Sequence, residues 1–400
     1  MKKNILFVIP SLHAGGGEKS LVNLLNQIDY NSYDVDLFLF NKSGVFINSL
    51  PEQVTILDLP QTYKTFTKVL GSSIKTFISN FKFCLAYCRI MFTIKNRFIK
   101  NRSKAEQHTW KYIRKSINTL EKEYDISIGY LEKSSIYFIV DKVKSKKKIG
   151  WIHTNYENSG MDENFDQPYF EKLDNIVTVS EECAASLKSK FLSLKEKISI
   201  IYNIVSPKLI NELSNRGIGN DFIVQDGYTN IITVARLSHE KGIDLAINAC
   251  KKLIDYGYKI KWYVLGGGPE KSKLEELILN NNLEDNFKLL GIKENPYPYI
   301  KQADLYVQPS RYEGKSIAID EAKILHKPII ITNYETAKDQ INNNENGIIV
   351  EMSGEGLSQG IISVINDVNL QNKLIDNLCN ETLGTESEIN KLYKIISYEE

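Results

Sequence analysis

The chain has 400 residues, of which 42% are hydrophobic and 25% charged. This composition is typical of a folded globular protein and excludes an intrinsically disordered chain. The length is about two to three times that of a usual domain, so two domains are expected. Cysteine occurs five times, a small and odd number that argues against a disulfide framework and favours a reducing, cytoplasmic setting.

The N-terminal end predicts a β-strand and not a signal peptide, because its apolar run is short and leads through Pro10 into glycines. The longest apolar region, 77–94, is interrupted by Asn80, Lys82 and Arg89. It therefore does not predict a membrane-spanning helix, which needs about 20 mainly apolar residues.

The first half of the chain, 1–206, predicts a doubly wound parallel sheet. Its Val, Ile, Leu and Phe residues form continuous runs, which are typical of strands buried on both faces. Strands are predicted at 4–10, 35–40, 54–57, 126–130, 148–152 and 175–179, with a helix at 18–26.

A second α/β series is predicted over 229–380, after a polar, turn-rich connector at 207–228. Two such series joined by one connector predict two Rossmann-like domains facing a cleft. A helical tail, 381–400, could pack on either domain. In the second series the strands are predicted at 230–235, 261–265, 287–290, 305–308, 328–332 and 347–350, and the helices at 243–256, 271–280 and 316–325.

A basic insert lies at 62–118, within the first domain. It carries a net charge of +12, with Glu106 as its acid, in a chain whose total is +1. Aromatic residues alternate with these cations, so the insert predicts basic amphipathic helices that lie on an anionic membrane surface. A solvated basic face is the alternative, and no motif accompanies the charge to indicate nucleic-acid binding. The candidate membrane and acceptor side comprises Lys82, Arg89, Lys95, Arg97, Lys100 and Arg102.

Two glycine-rich turns follow predicted strands, where parallel sheets bind their ligands. The turn with Gly16 and Gly17 opens a helix, whose free N–H groups could approach a phosphate. The turn with Gly266 and Gly267 precedes Pro269 at the start of another helix. For both turns, a plain structural turn between strand and helix is the alternative.

Arg236 and Lys241 form a cationic cluster between a strand and a helix. Charge-assisted hydrogen bonds from such groups can stabilise the negative charge of a departing diphosphate. They would then replace a metal ion. An exposed, solvated loop is the alternative.

A fourth cluster begins at Ser310 and continues through Glu313, Gly314, Lys315 and Ser316 to Glu321 on the following helix. Eight residues of helix span about 12 Å, close to the reach of a sugar, diphosphate and ribose in a row. Carboxylates at the two ends could bind hydroxyls, and the amides between them could bind phosphates. The alternative is structural: two glutamates at a helix end could act only by interacting favourably with the helix dipole.

The pair Glu313 and Glu321, with seven residues between them, resembles the Glu-x7-Glu motif of retaining GT-B glycosyltransferases of family 4, the glycosyl transferases group 1 of bacterial polysaccharide biosynthesis. Arg236, Lys241 and the turn at 15–19 resemble that family in order and spacing. The resemblance covers nearly all of 1–380 and is weak in the insert.

The resemblance implies a role for each matching residue on the donor side. Arg236 and Lys241 would hold the diphosphate, and Glu321 would bind the ribose hydroxyls. Gly16 would approach the phosphates from the first domain.

The resemblance also implies how the sugar is held. Glu313 would contact donor-sugar hydroxyls with help from the amides of 314–316, and His153 would touch the sugar near the reacting centre. A histidine after a strand is otherwise often structural. In the front-face mechanism described for the family, the departing phosphate itself helps to deprotonate the acceptor.

The sequence therefore predicts a metal-independent hexosyltransferase that needs no cofactor. The expected partners are a nucleotide sugar, by resemblance a UDP-hexose, a lipid-linked saccharide acceptor of capsule, exopolysaccharide or another envelope glycan, and an anionic membrane surface. No nucleic-acid partner is expected. The expected location is cytoplasmic, peripheral at the inner face of the cell membrane. A nucleotide-sugar epimerase of the same fold, and a non-catalytic partner of a paired transferase, are the alternatives.

Overall fold

Two parallel β-sheets organise the chain in the computed structural model, one in each of two units. The first unit consists mainly of residues up to 203, with the C-terminal residues from 387, and the second of residues 204–386. The structure describes residues 2–13, 15–219, 222 and 224–397.

The first unit contains one sheet of parallel strands. Its central strands are fully buried because their apolar runs are covered on both faces. The strands are β1 Lys3–Ile9, β2 Tyr33–Leu39, β3 Thr55–Ile56, β4 Tyr124–Gly129, β5 Ser145–Ile152, β6 Asn175–Thr178 and β7 Ile198–Ile200. Their order in the sheet is β3-β2-β1-β4-β5-β6-β7.

Helices cover this sheet and form the basic insert. Short 3-10 turns lie at Ile47–Ser49, Arg114–Ser116 and Leu192–Lys197. The helices are α1 Gly16–Leu25, α2 Gln61–Phe66, α3 Leu70–Ser79, α4 Phe83–Phe98, α5 Arg102–Ile113, α6 Ser134–Lys142, α7 Glu163–Phe170 and α8 Glu181–Lys190.

The strands of the second unit are β8 Thr229–Val234, β9 Ile260–Leu265, β10 Phe287–Gly291, β11 Leu305–Gln308, β12 Ile329–Thr332 and β13 Ile348–Val350. They form a parallel sheet in the order β10-β9-β8-β11-β12-β13. The helices are α9 Pro207–Ser214, α10 Ile243–Asp255, α11 Lys271–Asn280, α12 Tyr297–Gln302, α13 Ile317–Ile324, α14 Ala337–Gln340, α15 Gly354–Asn366 and α16 Val368–Asn380. A last helix, α17 Ile389–Ser397, belongs to the first unit.

Each sheet reverses its strand order at one point. In the first unit the reversal lies between β1 and β4, and in the second between β8 and β11. Loops that follow neighbouring strands diverge at such a reversal, and the space between them is where open α/β sheets bind ligands. The predicted class of two Rossmann-like, doubly wound parallel-sheet domains is confirmed.

The predicted connector at 207–228 is partly wrong, because it begins with helix α9. The hydroxyl of Ser206 accepts a hydrogen bond from the amide of Leu209 at 3.4 Å, and Pro207 occupies the first turn, where a missing N–H costs nothing. Ile210 is buried in the core of the second unit together with Val205. One apolar stripe in a mostly polar segment explains why the composition suggested a loop.

Two more differences concern short or terminal elements. Strand β7 was not predicted, because its three residues lie at the sheet edge beside a lysine-rich turn. The second unit extends past 380, since Thr385 donates its amide to the carbonyl of Val205 at 2.9 Å. The tail beyond it packs on the first unit, where Tyr393 stacks on Tyr33 with ring centroids 5.7 Å apart.

The insert forms helices as predicted, and they differ in how they are held. Helix α5 is tied to the sheet domain, because the indole of Trp110 and the guanidinium of Arg114 both donate to Asp141, at 2.8 and 2.9 Å. Helices α3 and α4 pack through a small apolar cluster that includes Phe66 and Phe77. Within the described residues no helix is long and apolar enough to cross a membrane.

Replacing Tyr393 with Ala should lower the free energy of unfolding of the first unit by about 2 kcal/mol, since an aromatic pair and hydrogen bonds are lost. The Tyr393 hydroxyl accepts from the amide of Asp29 at 2.8 Å and donates to the carbonyl of Gln27 at 3.3 Å. Urea denaturation measures the change. The exposed Tyr256 provides the control, and equal effects of Tyr393→Ala and Tyr256→Ala would contradict the prediction.

Candidate functional site

Two loops at the strand reversal of the second sheet carry six of the nine site residues that were predicted in the second unit. One follows β8 and includes a 3-10 turn at His239–Lys241, and the other follows β11. Arg311 in the second loop donates to both oxygens of Asp244 on α10, at 2.8 and 2.6 Å, and its amide donates to the carbonyl of Glu240 at 2.8 Å. Bidentate bonds of this kind fix orientation as well as distance, so the two loops are held together.

Lys241 and Glu313 meet where these loops converge. The Lys241 Nζ lies 2.5 Å from Glu313 Oε2. The other carboxylate oxygen accepts hydrogen bonds from Gln308 at 2.9 Å and from Ser310 at 2.6 Å. The carboxylate is nearly buried, and three donors compensate its charge, as a buried charge requires.

Glycines allow the backbone to approach closely enough for this arrangement. Gly242 has a φ of +63°, and a Cβ there would lie 2.0 Å from the carbonyl oxygen of Pro309. Gly266 has a φ of +151°, and a Cβ there would lie 1.8 Å from the carbonyl oxygen of Ala235. Both positions therefore require glycine for conformation and for space. For Gly266 this supports the structural alternative, and Gly267 lies beside it with its carbonyl bonded to the amide of Leu237 at 3.0 Å.

Arg236 is exposed on the loop after β8. Burial raises the pKa of neighbouring Glu240, but a hydrogen bond from Ser238 and the charges of Lys241 and Arg236 outweigh it and lower the pKa overall. The loop therefore carries the ionised carboxylate of Glu240 near the exposed guanidinium of Arg236.

Helix α13 carries Glu321, whose side chain is buried and accepts a hydrogen bond from the Tyr297 hydroxyl at 3.1 Å. The start of the helix is held by Gln340, which accepts from the amide of Ser316 at 2.9 Å and donates to the Ser316 carbonyl at 2.9 Å. Burial also raises the pKa of Asp320 on this helix.

Two of the predicted donor-binding groups already have hydrogen-bond partners within the protein. The amide of Ser316, predicted to help bind the sugar, already donates to a glutamine side chain, and the helix begins one residue later, at Ile317. The carboxylate of Glu313, predicted to bind sugar hydroxyls, accepts hydrogen bonds from Lys241 and from the neutral side chains of Gln308 and Ser310. Gly314 has open space where a Cβ would stand, and Lys315 lies next to it in the same loop.

In the first unit His153 follows β5 and is held by its surroundings in one form. The ring hydrogen-bonds to the backbone of Tyr130, while its buried Nε2 has no partner among the described residues. The contact with Tyr130 raises the pKa, as donation from the ring to a carbonyl oxygen does, so we assign the proton to Nδ1 and a lone pair to Nε2. Burial lowers the pKa of His153 to about 3, and the ring is therefore a neutral acceptor at physiological pH.

Other polar groups surround this histidine. Glu132, after β4, accepts from the amide of His153 at 3.2 Å, and burial raises the pKa of its carboxyl. The Tyr130 hydroxyl lies 2.8 Å from that of Ser20 on α1. Gly17, near the start of the same helix, lies beside His153, since a Cβ there would be 3.7 Å from the imidazole. Gly16 precedes it in an open position.

The predicted membrane side divides into an exposed set and one inward residue. Arg89 donates to Thr93 and to the carbonyl of Lys68 and lies over the rings of Phe66 and Phe92, so it belongs to the packing of the insert. Its desolvation lowers the pKa of the guanidinium. The exposed set comprises Lys82, Lys95, Arg97, Lys100 and Arg102.

Several residues of the site had not been predicted. Glu132 stands two residues beyond a predicted strand, and the rule that located the other clusters could have found it. Gln308 and Ser310 interrupt an apolar strand end, which is a weaker signal. Gln340 reaches Ser316 from 24 residues away, and no local pattern predicts that contact.

The second unit of the chain is similar in sequence to known proteins. Residues 220–379 match the family model of the glycosyl transferases group 1. An uncharacterised glycosyltransferase of Methanocaldococcus jannaschii is 32% identical over 176 residues, which are 43% of this chain and 43% of that protein. The matched family region includes the loops after β8 and β11.

A second relative is the N-acetylgalactosamine-N,N'-diacetylbacillosaminyl-diphospho-undecaprenol 4-alpha-N-acetylgalactosaminyltransferase of Campylobacter jejuni, 28% identical over 204 residues, 50% of this chain and 53% of that protein. The chain thus aligns with about half the length of these curated relatives. The crystal structure of Anabaena HepE in complex with UDP-glucose matches 99% of both chains with a TM-score of 0.66, and its 14% identity makes this a likeness of fold.

Gly242→Ala should disrupt the contact between the loops after β8 and β11. It should lower the free energy of unfolding of the second unit by at least about 3 kcal/mol. A left-handed alanine costs about 1–2 kcal/mol, and the clash with the Pro309 carbonyl adds to it. Gly257 is a matched control, with a φ of +85° and nothing within 4 Å of a Cβ. Thermal denaturation of both variants tests the contact, which would be refuted if they lost equal stability.

The imidazole of His153 should remain neutral between pH 5 and about 8, because its pKa is lowered to about 3. Nitrogen NMR shifts of the ring report this directly. Below the usual pKa of 6.5 the unfolded chain takes up a proton that the folded ring refuses, so stability falls as the pH drops from 6.5 toward 3. His153→Gln should lack this part of the acid-side loss. A ring that titrates near 6.5 would contradict the assignment.

Proposed function

We propose that the chain is a retaining, metal-independent glycosyltransferase. It would transfer a hexosyl unit from a UDP-hexose to a lipid-linked saccharide acceptor in capsule, exopolysaccharide or other envelope glycan synthesis. The observation that carries the proposal is the Lys241–Glu313 pair at the strand reversal of the second sheet, within a region that matches the glycosyl transferases group 1. The nucleotide is proposed from the UDP-glucose bound by HepE, and the acceptor class from the name of the Campylobacter relative.

The positive groups of the second unit suit a leaving diphosphate. Arg236 is exposed, and Lys241 has about a quarter of its side chain exposed, at 23%. An ammonium group fixed by a carboxylate needs no reorganisation when negative charge develops beside it, so it stabilises the transition state more than the ground state. Glu313 acts in this proposal by positioning Lys241.

The proposed reaction breaks the bond between the anomeric carbon and the diphosphate oxygen. The acceptor hydroxyl forms the new bond on the same face of the sugar, and its proton passes to the departing phosphate. The products are the nucleoside diphosphate and the glycoside. The neutral Nε2 of His153 would accept a hydrogen bond from a sugar hydroxyl, a role that a charged imidazolium could not fill.

The purified chain should be assayed with a panel of nucleotide sugars and membrane-extracted lipid acceptor, with and without EDTA. Product that carries the donor sugar in the same anomeric configuration, formed equally well with EDTA, is the expected result. Release of an isomerised free sugar without acceptor would indicate an epimerase. No turnover with any donor would contradict the proposal and favour a non-catalytic partner.

Lys241→Met should lower kcat about 100- to 1000-fold, as expected when one preorganised charge is removed from a transition state. Because this variant leaves Glu313 buried and unpaired, the double variant Lys241→Met/Glu313→Gln separates activity from stability. Lys251→Met, on the exposed part of α10, is the matched control. If the folded double variant turned over like the parent, the site assignment would fail.

A further inference from the structure

The exposed large hydrophobic residues of the protein are concentrated on one hairpin. Fourteen such side chains occur among the described residues, and eight of them lie between 69 and 98, on α3, α4 and the segments around them. A stretch of 30 residues therefore carries more of this surface than all the rest of the described chain. Single exposed apolar residues are ordinary, but a group of this size marks an interaction surface.

On α4 these residues form one stripe. At about 100° per residue, Phe83, Tyr87, Ile90, Ile94 and Phe98 fall within a sector of about 80°. Their exposed fractions are 59, 59, 38, 39 and 77%. We call this stripe the α4 ridge. The opposite side of α4 faces the apolar cluster of the insert, so the helix is apolar on both faces although one of them faces solvent.

The charge around the ridge identifies the partner. The insert carries a net charge of +12. Among the residues described, Arg114 is the single lysine or arginine of the insert that forms an ion pair. Arg97 borders the ridge on α4, and Lys100 and Arg102 follow its end. An apolar stripe bordered by uncompensated cations matches the interface of an anionic bilayer, where rings enter the acyl boundary and cations meet phosphates.

A pocket next to the end of the ridge adds to this surface. It has a volume of about 290 Å³ and lies between the last turn of α4 and α5. Lys95, Lys104 and Lys111 line it, together with Ile99 and His108. The lining is mainly apolar and three of its five residues are lysines, so the pocket combines apolar surface with positive charge nearby, as an anionic lipid would require.

We propose that α4 lies in the interface of an anionic membrane with its ridge inserted among the lipid chains. The inference deepens the proposed function, because it assigns the face that brings the enzyme to a lipid-linked acceptor. The residues that it assigns to membrane insertion differ from those of the sequence prediction, which relied on the cations. The apolar ridge supplies the insertion, Arg89 is used inside the hairpin, and the remaining cations supply the preference for anionic lipid.

Co-sedimentation with vesicles of equal parts phosphatidylglycerol and phosphatidylcholine tests the ridge. The triple variant Phe83→Ser/Tyr87→Ser/Phe98→Ser should partition at least about tenfold more weakly than the parent. Its altered residues are exposed, so the fold should be kept, and circular dichroism checks this. The matched control is Leu192→Ser/Tyr256→Ser/Leu279→Ser, whose residues are 66, 57 and 58% exposed elsewhere. The inference is overturned if ridge and control variants partition alike.

Fluorescence gives an independent measurement of insertion. The native Trp110, Trp151 and Trp262 are buried and should not respond to vesicles. A tryptophan introduced by Phe98→Trp should shift to shorter wavelength on anionic vesicles and be quenched by brominated lipid chains, whereas Leu192→Trp should do neither. A solvent-like emission of the Phe98→Trp protein on vesicles it has bound would also overturn the inference.

The charge contribution is tested with Lys95→Gln/Lys104→Gln/Lys111→Gln. This variant should lose about tenfold of the preference for anionic over pure phosphatidylcholine vesicles and keep the ridge-dependent binding. If the parent bound no vesicles and the ridge variant only changed self-association, the ridge would be a protein interface and the membrane inference would be wrong.

These results can be separated from the test of the proposed function. Donor hydrolysis, or transfer to a water-soluble acceptor, should be the same for the parent and the ridge variant. A chain without transferase activity that still loses vesicle binding with the ridge would contradict the proposed function alone. An active transferase whose ridge variant still binds vesicles would contradict this inference alone.

Discussion

A nearly buried ion pair is the constraint on which the second unit depends. The Lys241 ammonium touches the Glu313 carboxylate, whose side chain is 6% exposed. Removing one partner of such a pair costs about 3–5 kcal/mol, because the other charge remains buried. The remaining lone pairs must be occupied too, and Gln308 and Ser310 do this. The loops after β8 and β11 therefore cannot separate without exposing or orphaning a charge.

The rest of the loop geometry follows from that constraint. Lys241 can reach Glu313 because Gly242 turns the chain in a left-handed conformation directly against the Pro309 carbonyl. Arg311 then fixes the same two loops from the other direction through Asp244. Burial would raise the pKa of Asp244, but the hydrogen bonds and charge of Arg311 lower it, so the pair stays ionised. Rigid placement of this kind is what lets a charge act on a substrate without first rearranging.

Much of the fold was predictable because the strands are continuous apolar runs. The β11 strand and the α11 helix have the predicted bounds, Leu305–Gln308 and Lys271–Asn280. Strand β7 was missed because three residues carry too little pattern. For the candidate site, the sequence indicated which loops lie at the strand reversal of the second sheet and which charged residues they carry. It was not predictable that Glu313 would bind Lys241, because that contact joins residues 72 apart through a sheet reversal.

The titratable groups at the strand reversals of the two units differ in how they are surrounded. In the second unit, Lys241 and Arg311 each form an ion pair with a carboxylate placed against them. In the first unit, burial lowers the pKa of His153 and raises the pKa of Glu132, so it disfavours the charged form of both groups. A diphosphate needs the first kind of surface and a sugar hydroxyl needs the second. This division supports the separate roles that the proposed function gives to the cationic loops and to the histidine.

The basic insert shows why charge alone is a poor guide to a surface. Helix α5 contributes lysines and arginines to the total, yet Trp110 and Arg114 bind it to Asp141 and make it part of the domain. The α3–α4 hairpin is joined through a small apolar cluster instead, so its outer face is free of the packing that constrains α5. That outer face is apolar where solvent would favour polar residues, and the proposed membrane contact accounts for its sequence better than the stability of the fold does.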